Sequence, residues 1–85
     1  MEIAYKPIFI RQFNKLPIIL QEEIYEKIDQ FKIVSNHNRL KVHKLRGKFK
    51  NFYSFSVNYK YRIVFEYDTK TKVNFLGIGD HEIYN

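Results

Sequence analysis

The side chains of this sequence that could take part in acid–base or phosphate chemistry are imidazoles, phenols, hydroxyls and fixed cations. Its histidines are His37, His43 and His81. Ser54 and Ser56 alternate along the chain, which is typical of the solvent-facing side of a strand. No local motif gives them the histidine and oxyanion hole that a serine nucleophile requires. The groups that remain as candidates are cations, imidazoles and phenols. RNA cleavage without a metal ion needs groups of these kinds, since it requires a base, a phosphate-binding cation and an acid.

Other classes of site lack the residues that they need. The glycines, Gly47, Gly77 and Gly79, have neither the Walker nor the dinucleotide-binding spacing, which excludes ATP and NAD enzymes. The chain has no Cys, so disulfides and thiolate metal sites are impossible. The histidines have no paired ligand spacing. We therefore expect no metal site, no cofactor and no small-molecule cofactor partner.

Positive charge is concentrated in the middle of the sequence. The chain has 15 Lys and Arg against 9 Asp and Glu, a net charge of +6, yet no acidic residue lies between Asp29 and Glu66. Uncompensated cations repel one another, so a polyanion is the expected partner, with nucleic acid as the first candidate and a merely hydrated basic face as the alternative. The cations of residues 30–65 are Lys32, Arg39, Lys41, Lys44, Arg46, Lys48, Lys50, Lys60 and Arg62.

Length and composition favour one folded domain. The 85 residues fit a single domain, 1–85, and 45% hydrophobic with 18% aromatic residues suffice for a core. The longest purely apolar run spans only residues 16–20, and the N-terminal segment is interrupted by charges. The sequence therefore predicts a cytoplasmic protein with no signal peptide and no membrane partner.

Two helices follow a first strand in the N-terminal half. Residues 3–5 predict a short strand that ends before Pro7. Phe9 and Phe13 recur at helical spacing and predict a helix of about two turns before Pro17. Residues 17–33 have apolar positions four, four and three apart with acids between them, which predicts an amphipathic helix.

The second half has the period of strands. Residues 39–50 predict a loop or a broken strand, and from Phe52 apolar and polar residues alternate through residue 60, again over residues 61–67, and then over 73–78. The order strand, helix, helix, three-stranded meander predicts an α+β fold with the helices packed on one face of a mainly antiparallel sheet. If Ile63 and Phe65 face the helices, then Arg62, Ser54 and Ser56 must point to the other, polar face.

Four segments, in order along the whole chain, resemble a known family. They are HKLRG at residues 43–47, YSF at 53–55, YRIVFE at 61–66 and IGDHEIY at 78–84. Together they are similar to the RelE/ParE superfamily of bacterial toxins from type II toxin–antitoxin systems, near the RelE, YoeB and YafQ branches. The resemblance implies the same order of elements and a metal-independent, ribosome-dependent mRNA endonuclease that inhibits translation. It also implies a cognate antitoxin, mRNA and ribosomal RNA as partners.

The resemblance also implies roles for individual residues. Arg62 matches the arginine that holds the scissile phosphate, and His81 and Tyr84 match a C-terminal histidine and aromatic that handle protons and stack a base. His43 matches a histidine before the LxG turn and is a second candidate acid or base. The expected phosphate contacts on mRNA or ribosomal RNA are Lys41, Lys44, Arg46, Lys48, Lys50 and Lys60.

The sequence departs from the family at the catalytic base. RelE has lysines where this chain has Tyr53 and Phe55, and YoeB has a glutamate where this chain has Arg39. The lysine-based proton transfer of RelE therefore does not apply. The base must be a histidine or come from elsewhere in the chain.

Simpler interpretations remain open at this stage. Arg62 could pair with Glu66, His43 could be an ordinary loop residue, and Tyr84 could pack on the core.

Two other functions are also consistent with the fold, because fold does not fix function. One is a ParE-like inhibitor of DNA gyrase, and the other is a non-catalytic relic that only binds its antitoxin.

Overall fold

The computed structural model describes residues 1–80. Two helices pack on one face of a five-stranded sheet with the order β1-β5-β4-β3-β2, in which β1 runs parallel to β5 and the other neighbours are antiparallel. The predicted α+β fold is confirmed. The elements are β1 (Glu2–Tyr5), α1 (Pro7–Asn14), α2 (Ile18–Phe31), β2 (His43–Lys44), β3 (Tyr53–Ser56), β4 (Tyr61–Thr69) and β5 (Lys72–Asp80), with short 3₁₀ turns at Val34–Asn36 and Gly47–Phe49.

Prolines begin both helices, as the sequence predicts. Pro7 is the first residue of α1, and Pro17 is the N-cap residue of α2. A proline suits these positions because the first amides of a helix have no partner inside it. The side-chain amide of Gln21 donates to the carbonyls of Phe13 (3.0 Å) and Leu16 (3.1 Å), so it links α2 to the end of α1 and fixes the junction of the two helices.

The loop that connects β3 and β4 is longer than the alternating pattern predicts. β3 ends at Ser56, whereas the period-two pattern continues to residue 60. The reason is Asn58, whose side-chain oxygen accepts hydrogen bonds from the backbone N–H groups of Lys60 (2.9 Å) and Tyr61 (2.8 Å) and so closes a turn. A second difference is β2, which pairs with β3 and adds a fourth antiparallel strand inside the predicted loop or broken strand.

The helix-side face of the sheet holds an aromatic core. Phe31 of α2 stacks on Phe55 with ring centroids 4.5 Å apart, and it makes edge contacts with Phe65 (5.0 Å) and Phe75 (5.5 Å). All four rings and Ile63 are fully buried. The predicted orientation of Ile63 and Phe65 toward the helices is therefore confirmed.

The opposite face is called the open face here, and its residues on β2, β3 and β4 are His43, Ser54, Ser56, Arg62 and Val64. They share this face because paired residues of antiparallel strands point to the same side: His43 with Ser54, Ser54 with Val64, and Ser56 with Arg62. Ser54 was expected to be solvent-facing, and this expectation is wrong, since the residue is fully buried. It lies on an inner strand between His43 and Val64, which flank its small side chain. Its hydroxyl has no hydrogen-bond partner among residues 1–80.

Candidate nucleic-acid interface

A cleft lies at the end of the open face, where β3 and β4 separate into their hairpin. Its volume is about 420 Å³. No carboxylate lines it among the described residues, and two of its side chains are cationic, so it is suited to an anion. The lining residues are Lys41, Ser56, Asn58, Tyr59 and Arg62.

Arg62 is half-buried in this cleft, flanked on β3 by Ser56 and on β5 by Gly79, both of which leave space beside the guanidinium. Within residues 1–80 its side chain makes no ion pair and no hydrogen bond. Glu66, the alternative partner considered from the sequence, instead accepts a hydrogen bond from the side-chain amide of Asn74 (3.2 Å). The fork of donors on Arg62 is therefore available to a phosphate or carboxylate.

His43 has one ring nitrogen fixed by the backbone. Its Nδ1 lies 2.8 Å from the carbonyl oxygen of Lys41, and because a carbonyl can only accept, Nδ1 carries the hydrogen of this bond. In the neutral ring, Nε2 then has the free lone pair that a base needs. Lys41 itself has a φ of +60°, a left-handed conformation uncommon for residues with a side chain. His43 lies two strands from Arg62 on the same face and is offset from it by two residues along the strands, so their Cα atoms are about 12 Å apart.

The other expected RNA-binding cations are exposed. Lys44 follows His43 and pairs with Tyr53, so it belongs to the helix-side face at the edge of the sheet and not to the open face. The ammonium group of Lys48 lies 5.3 Å from the ring centre of Phe49. The ammonium group of Lys60 lies over the ring of Tyr61. The remaining exposed cations, Arg46 and Lys50, lie near the Gly47–Phe49 turn.

The ion pairs of the described residues lie almost entirely outside this basic region. Within residues 1–80, none of the expected RNA-binding cations has a carboxylate partner, so the charge excess seen in the sequence persists in the fold. The pairs are Lys32 with Asp29, and Lys72 with both Glu2 and Asp68.

The sequence model for a protein family, the RelE-like toxin of type II toxin–antitoxin system HigB, matches residues 9–81. The chain belongs to this family. The resemblance to the RelE/ParE superfamily that the four segments indicate is thereby confirmed. No curated protein sequence matches the chain at a significant level.

Solved structures have the same fold as this RelE-like chain. A conserved hypothetical protein from Helicobacter pylori is 17% identical, with 96% of each chain covered and a TM-score of 0.75. A chain of the YoeB–YefM complex from Staphylococcus aureus is 16% identical, with 95% of this chain and 97% of that chain covered and a TM-score of 0.72. A chain of the archaeal RelE–RelB complex from Pyrococcus horikoshii is 16% identical, with 93% and 92% covered and a TM-score of 0.71.

Two of the four catalytic candidates of this RelE-like toxin lie in the described part of the chain. Arg62 and His43 share the open face, whereas His81 and Tyr84 lie outside the described residues. β5 ends at Asp80, which pairs with Tyr61 next to the Arg62–Gly79 pair.

His37 has a structural role. Its Nε2 bonds to the carbonyl oxygen of Phe31 at 2.8 Å, and its ring stacks on that side chain at 4.6 Å.

Within residues 1–80, no group of three or more His, Asp or Glu side chains is placed to hold a metal ion. None of the helices in that part of the chain has the length and apolar character needed to cross a bilayer.

Sequence reasoning missed Ser56, Asn58 and Tyr59 as cleft residues. Alternation placed Tyr59 on the buried side of a strand, yet its side chain is 94% exposed at the hairpin tip. The asparagine that precedes it was the available signal, because Asn is a common turn residue.

Proposed function

We propose that this chain is the toxin of a type II toxin–antitoxin pair and acts as a metal-independent endoribonuclease that cuts mRNA at the ribosome. The observation that supports this most directly is the guanidinium of Arg62, half-buried in a cleft without carboxylates and without a partner among the described residues. A planar guanidinium can bind two phosphate oxygens at once, and it stabilises the negative charge that gathers on them in the transition state.

The open face also offers a candidate base. In RNA cleavage the 2′-oxygen loses its proton to a base and attacks phosphorus, while the bond to the 5′-oxygen breaks and that oxygen gains a proton from an acid. Nε2 of His43 has the lone pair for the first step because Nδ1 is held by the Lys41 carbonyl. By resemblance, His81 supplies a proton and Tyr84 stacks a base. The surface cations named above contact RNA phosphates.

The proposed partner is an acidic or amphipathic antitoxin. The YoeB and RelE structures to which this fold is similar are complexes with YefM and RelB. Carboxylates of an antitoxin would offset the unpaired cations, and an amphipathic helix or strand would cover exposed apolar surface. A groove of about 370 Å³ suits the apolar side of such a segment, and its lining residues are Tyr5, Phe9, Ile10, Phe13, Asn14, Tyr25 and Ile28.

Substitution of Arg62 tests the nuclease. We expect Arg62→Ala to lower mRNA cleavage on the order of 100- to 1000-fold and to abolish growth arrest, because one preorganised charge donor is lost. Arg62→Lys keeps the charge but not the bidentate geometry and should recover only part of the rate. Primer extension on an mRNA in a translating extract measures cleavage. Arg11→Ala, which removes an exposed arginine on α1, is the matched control.

The outcome also separates the alternative functions. If folded Arg62→Ala, checked by circular dichroism, cuts as fast as the wild type, the phosphate site is elsewhere. If the wild type leaves mRNA intact and stalls DNA gyrase, the chain is a ParE-like inhibitor. If it does neither but binds its antitoxin, it is a non-catalytic relic.

The C-terminal candidates are tested in the same assay. His81→Ala should lower cleavage on the order of 100- to 10,000-fold through loss of an acid or base, and Tyr84→Ala should weaken it through loss of stacking. His43→Ala compares the two histidines directly. Full activity of both histidine variants would exclude His43 and His81 as the base or acid.

A further inference from the structure

Tyr59 lies at the tip of the β3–β4 hairpin with 94% of its side chain exposed, more than any other large hydrophobic side chain in the described part of the molecule. A single exposed aromatic residue is ordinary on a protein surface, so exposure alone indicates nothing. The location is informative, because Tyr59 lines the same cleft as Arg62 and Lys41. A tyrosine and two cations therefore line one cleft.

The turn that presents Tyr59 is held by hydrogen bonds from both sides. The Asn58 side-chain oxygen accepts from two backbone amides of the turn, and its amide nitrogen donates to Glu23 on α2 at 2.8 Å. Across the turn, the N–H of Val57 donates to the carbonyl of Tyr61 at 2.9 Å. With Asn58 satisfied, the hairpin tip is tied to the helix layer. Binding a ligand on the ring then requires little ordering of the backbone.

The charges around the ring favour a polyanionic ligand. Glu23, the carboxylate that reaches this turn, accepts the Asn58 hydrogen bond, and it does not line the cleft. Lys60 lies over the neighbouring ring of Tyr61, and within residues 1–80 no cation lies over the ring of Tyr59. Proteins that bind single-stranded nucleic acid combine such a positive groove with rings on which bases stack.

We propose that Tyr59 is the stacking platform of a nucleotide subsite, with its ring against the base next to the phosphate held by Arg62. Tyr59 lies three residues from Arg62, a span of at most about 10 Å along an extended chain. A π-face accepts any base, so this subsite contributes affinity and position and does not select a base. The proposal rests on the proposed function, because it assigns RNA to the same cleft.

The test measures stacking and affinity with one probe. The probe is a 2′-O-methyl tetranucleotide with one 2-aminopurine, which cannot be cleaved and whose fluorescence is quenched when the base stacks. We expect the full-length wild type to quench it and Tyr59→Ala to lose the quenching and bind about 5- to 150-fold more weakly, the range for one base stack. Tyr59→Phe should keep both properties, and Tyr59→Leu should lose both. Ile19→Ala, which removes a large apolar side chain at an exposed position outside the cleft, should bind as the wild type does.

Each contrary result has a distinct meaning. Absent quenching with the wild type, or equal quenching by Tyr59→Ala, overturns the stacking proposal even if Arg62→Ala has lost mRNA cleavage. Quenching that depends on Tyr59 while the wild type cuts no mRNA supports the subsite and removes the nuclease. If Tyr59→Ala weakens binding of an acidic antitoxin peptide and not of the probe, the cleft is a protein contact and the proposal fails.

Discussion

The helix-side face and the open face of the sheet are made by the same strands, yet they differ in how completely their side chains are packed or hydrogen-bonded. On the helix-side face, four fully buried rings contact one another around Phe31. On the open face, neither the Arg62 guanidinium nor the Ser54 hydroxyl has a partner among the described residues, and Lys41, which lines the cleft at the end of this face, has a left-handed backbone. Locally inconsistent features in natural proteins concentrate at functional sites. The helix-side face therefore supplies stability, and we propose that the open face serves binding.

Removal of the central ring is the strongest test of the stabilising face. Phe31→Ala deletes a fully buried ring that contacts three phenylalanine rings and the ring of His37, and such changes cost about 3–5 kcal/mol. Domains of ordinary size have only about 5–15 kcal/mol of stability, and a short chain lies near the lower limit. We expect the variant to keep no more than about 2 kcal/mol of stability, so that a measurable fraction is unfolded at growth temperature. Urea unfolding followed by circular dichroism measures the loss.

Tyr59→Ala is the matched control for this loss. It also removes a large aromatic side chain, but one that is almost fully exposed, so the free energy of unfolding should change by no more than about 0.5 kcal/mol. A similar cost for both variants would contradict the division between the faces.

The helix-side face could be predicted from the sequence because it depends on periodicity alone. The helix predicted over residues 17–33 is Ile18–Phe31 in the structure, and Ile63 and Phe65 point inward as expected. The same reasoning failed for Ser54. Alternation tells which face a residue is on but not whether neighbouring strands bury it.

The cleft could be predicted only in part. Alternation and resemblance both selected Arg62, and the structure has it on the open face. Tyr59 was missed because the turn that exposes it depends on hydrogen bonds of Asn58, one of them to Glu23, which is 35 residues away in the sequence. Such a contact has no local signal. The roles of His81 and Tyr84 stay predictions.

Salt dependence tests whether the unpaired cations contact a nucleic acid backbone. Each phosphate contact on a single strand contributes about 0.7 to the slope of log K against log salt. Replacing Arg46, Lys48 and Lys50 together by Ala should therefore reduce the slope by about 2, with little change in folding because all three are exposed. Filter binding of an oligoribonucleotide across a salt series gives both slopes. Equal slopes for variant and wild type would show that these cations are only hydrated.

A smaller effect is expected at the orphaned hydroxyl of the open face. A buried polar group without a partner costs about 1–3 kcal/mol, so Ser54→Ala should stabilise the protein by about 1 kcal/mol, or raise Tm by about 4–8 °C. Thermal unfolding measures this shift. Ser56→Ala, at a half-exposed site on the same strand, should change stability by less than about 0.5 kcal/mol. Destabilisation by Ser54→Ala would mean that the hydroxyl contributes a favourable interaction.

The smallest expected effect is on the pH dependence of stability, and it comes from tyrosines at the margin of the helix-side face. Burial raises the pKa of Tyr5 above its usual 10.0, and the charges of Asp29 and Tyr25 add to the rise. Burial also raises the pKa of Tyr67, with Tyr53 as the second cause. Because these phenols hold their protons more tightly when folded, their contribution to stability is present below about pH 10. It is lost as the pH rises through the folded-state pKa.

Stability measured by urea unfolding should therefore fall above about pH 10, and Tyr5→Phe should make that fall shallower because a phenylalanine cannot ionise. Asp29→Asn separates the causes: it removes one charge that opposes the tyrosinate of Tyr5, so the pKa of Tyr5 should decrease while that of Tyr67 stays where it is. Side-chain NMR titration of the two rings reads both values. If Asp29→Asn shifted both pKa values equally, the cause would be a change of net charge acting on the whole molecule. If it shifted neither, Asp29 would not contribute, and burial together with Tyr25 would account for the raised pKa of Tyr5.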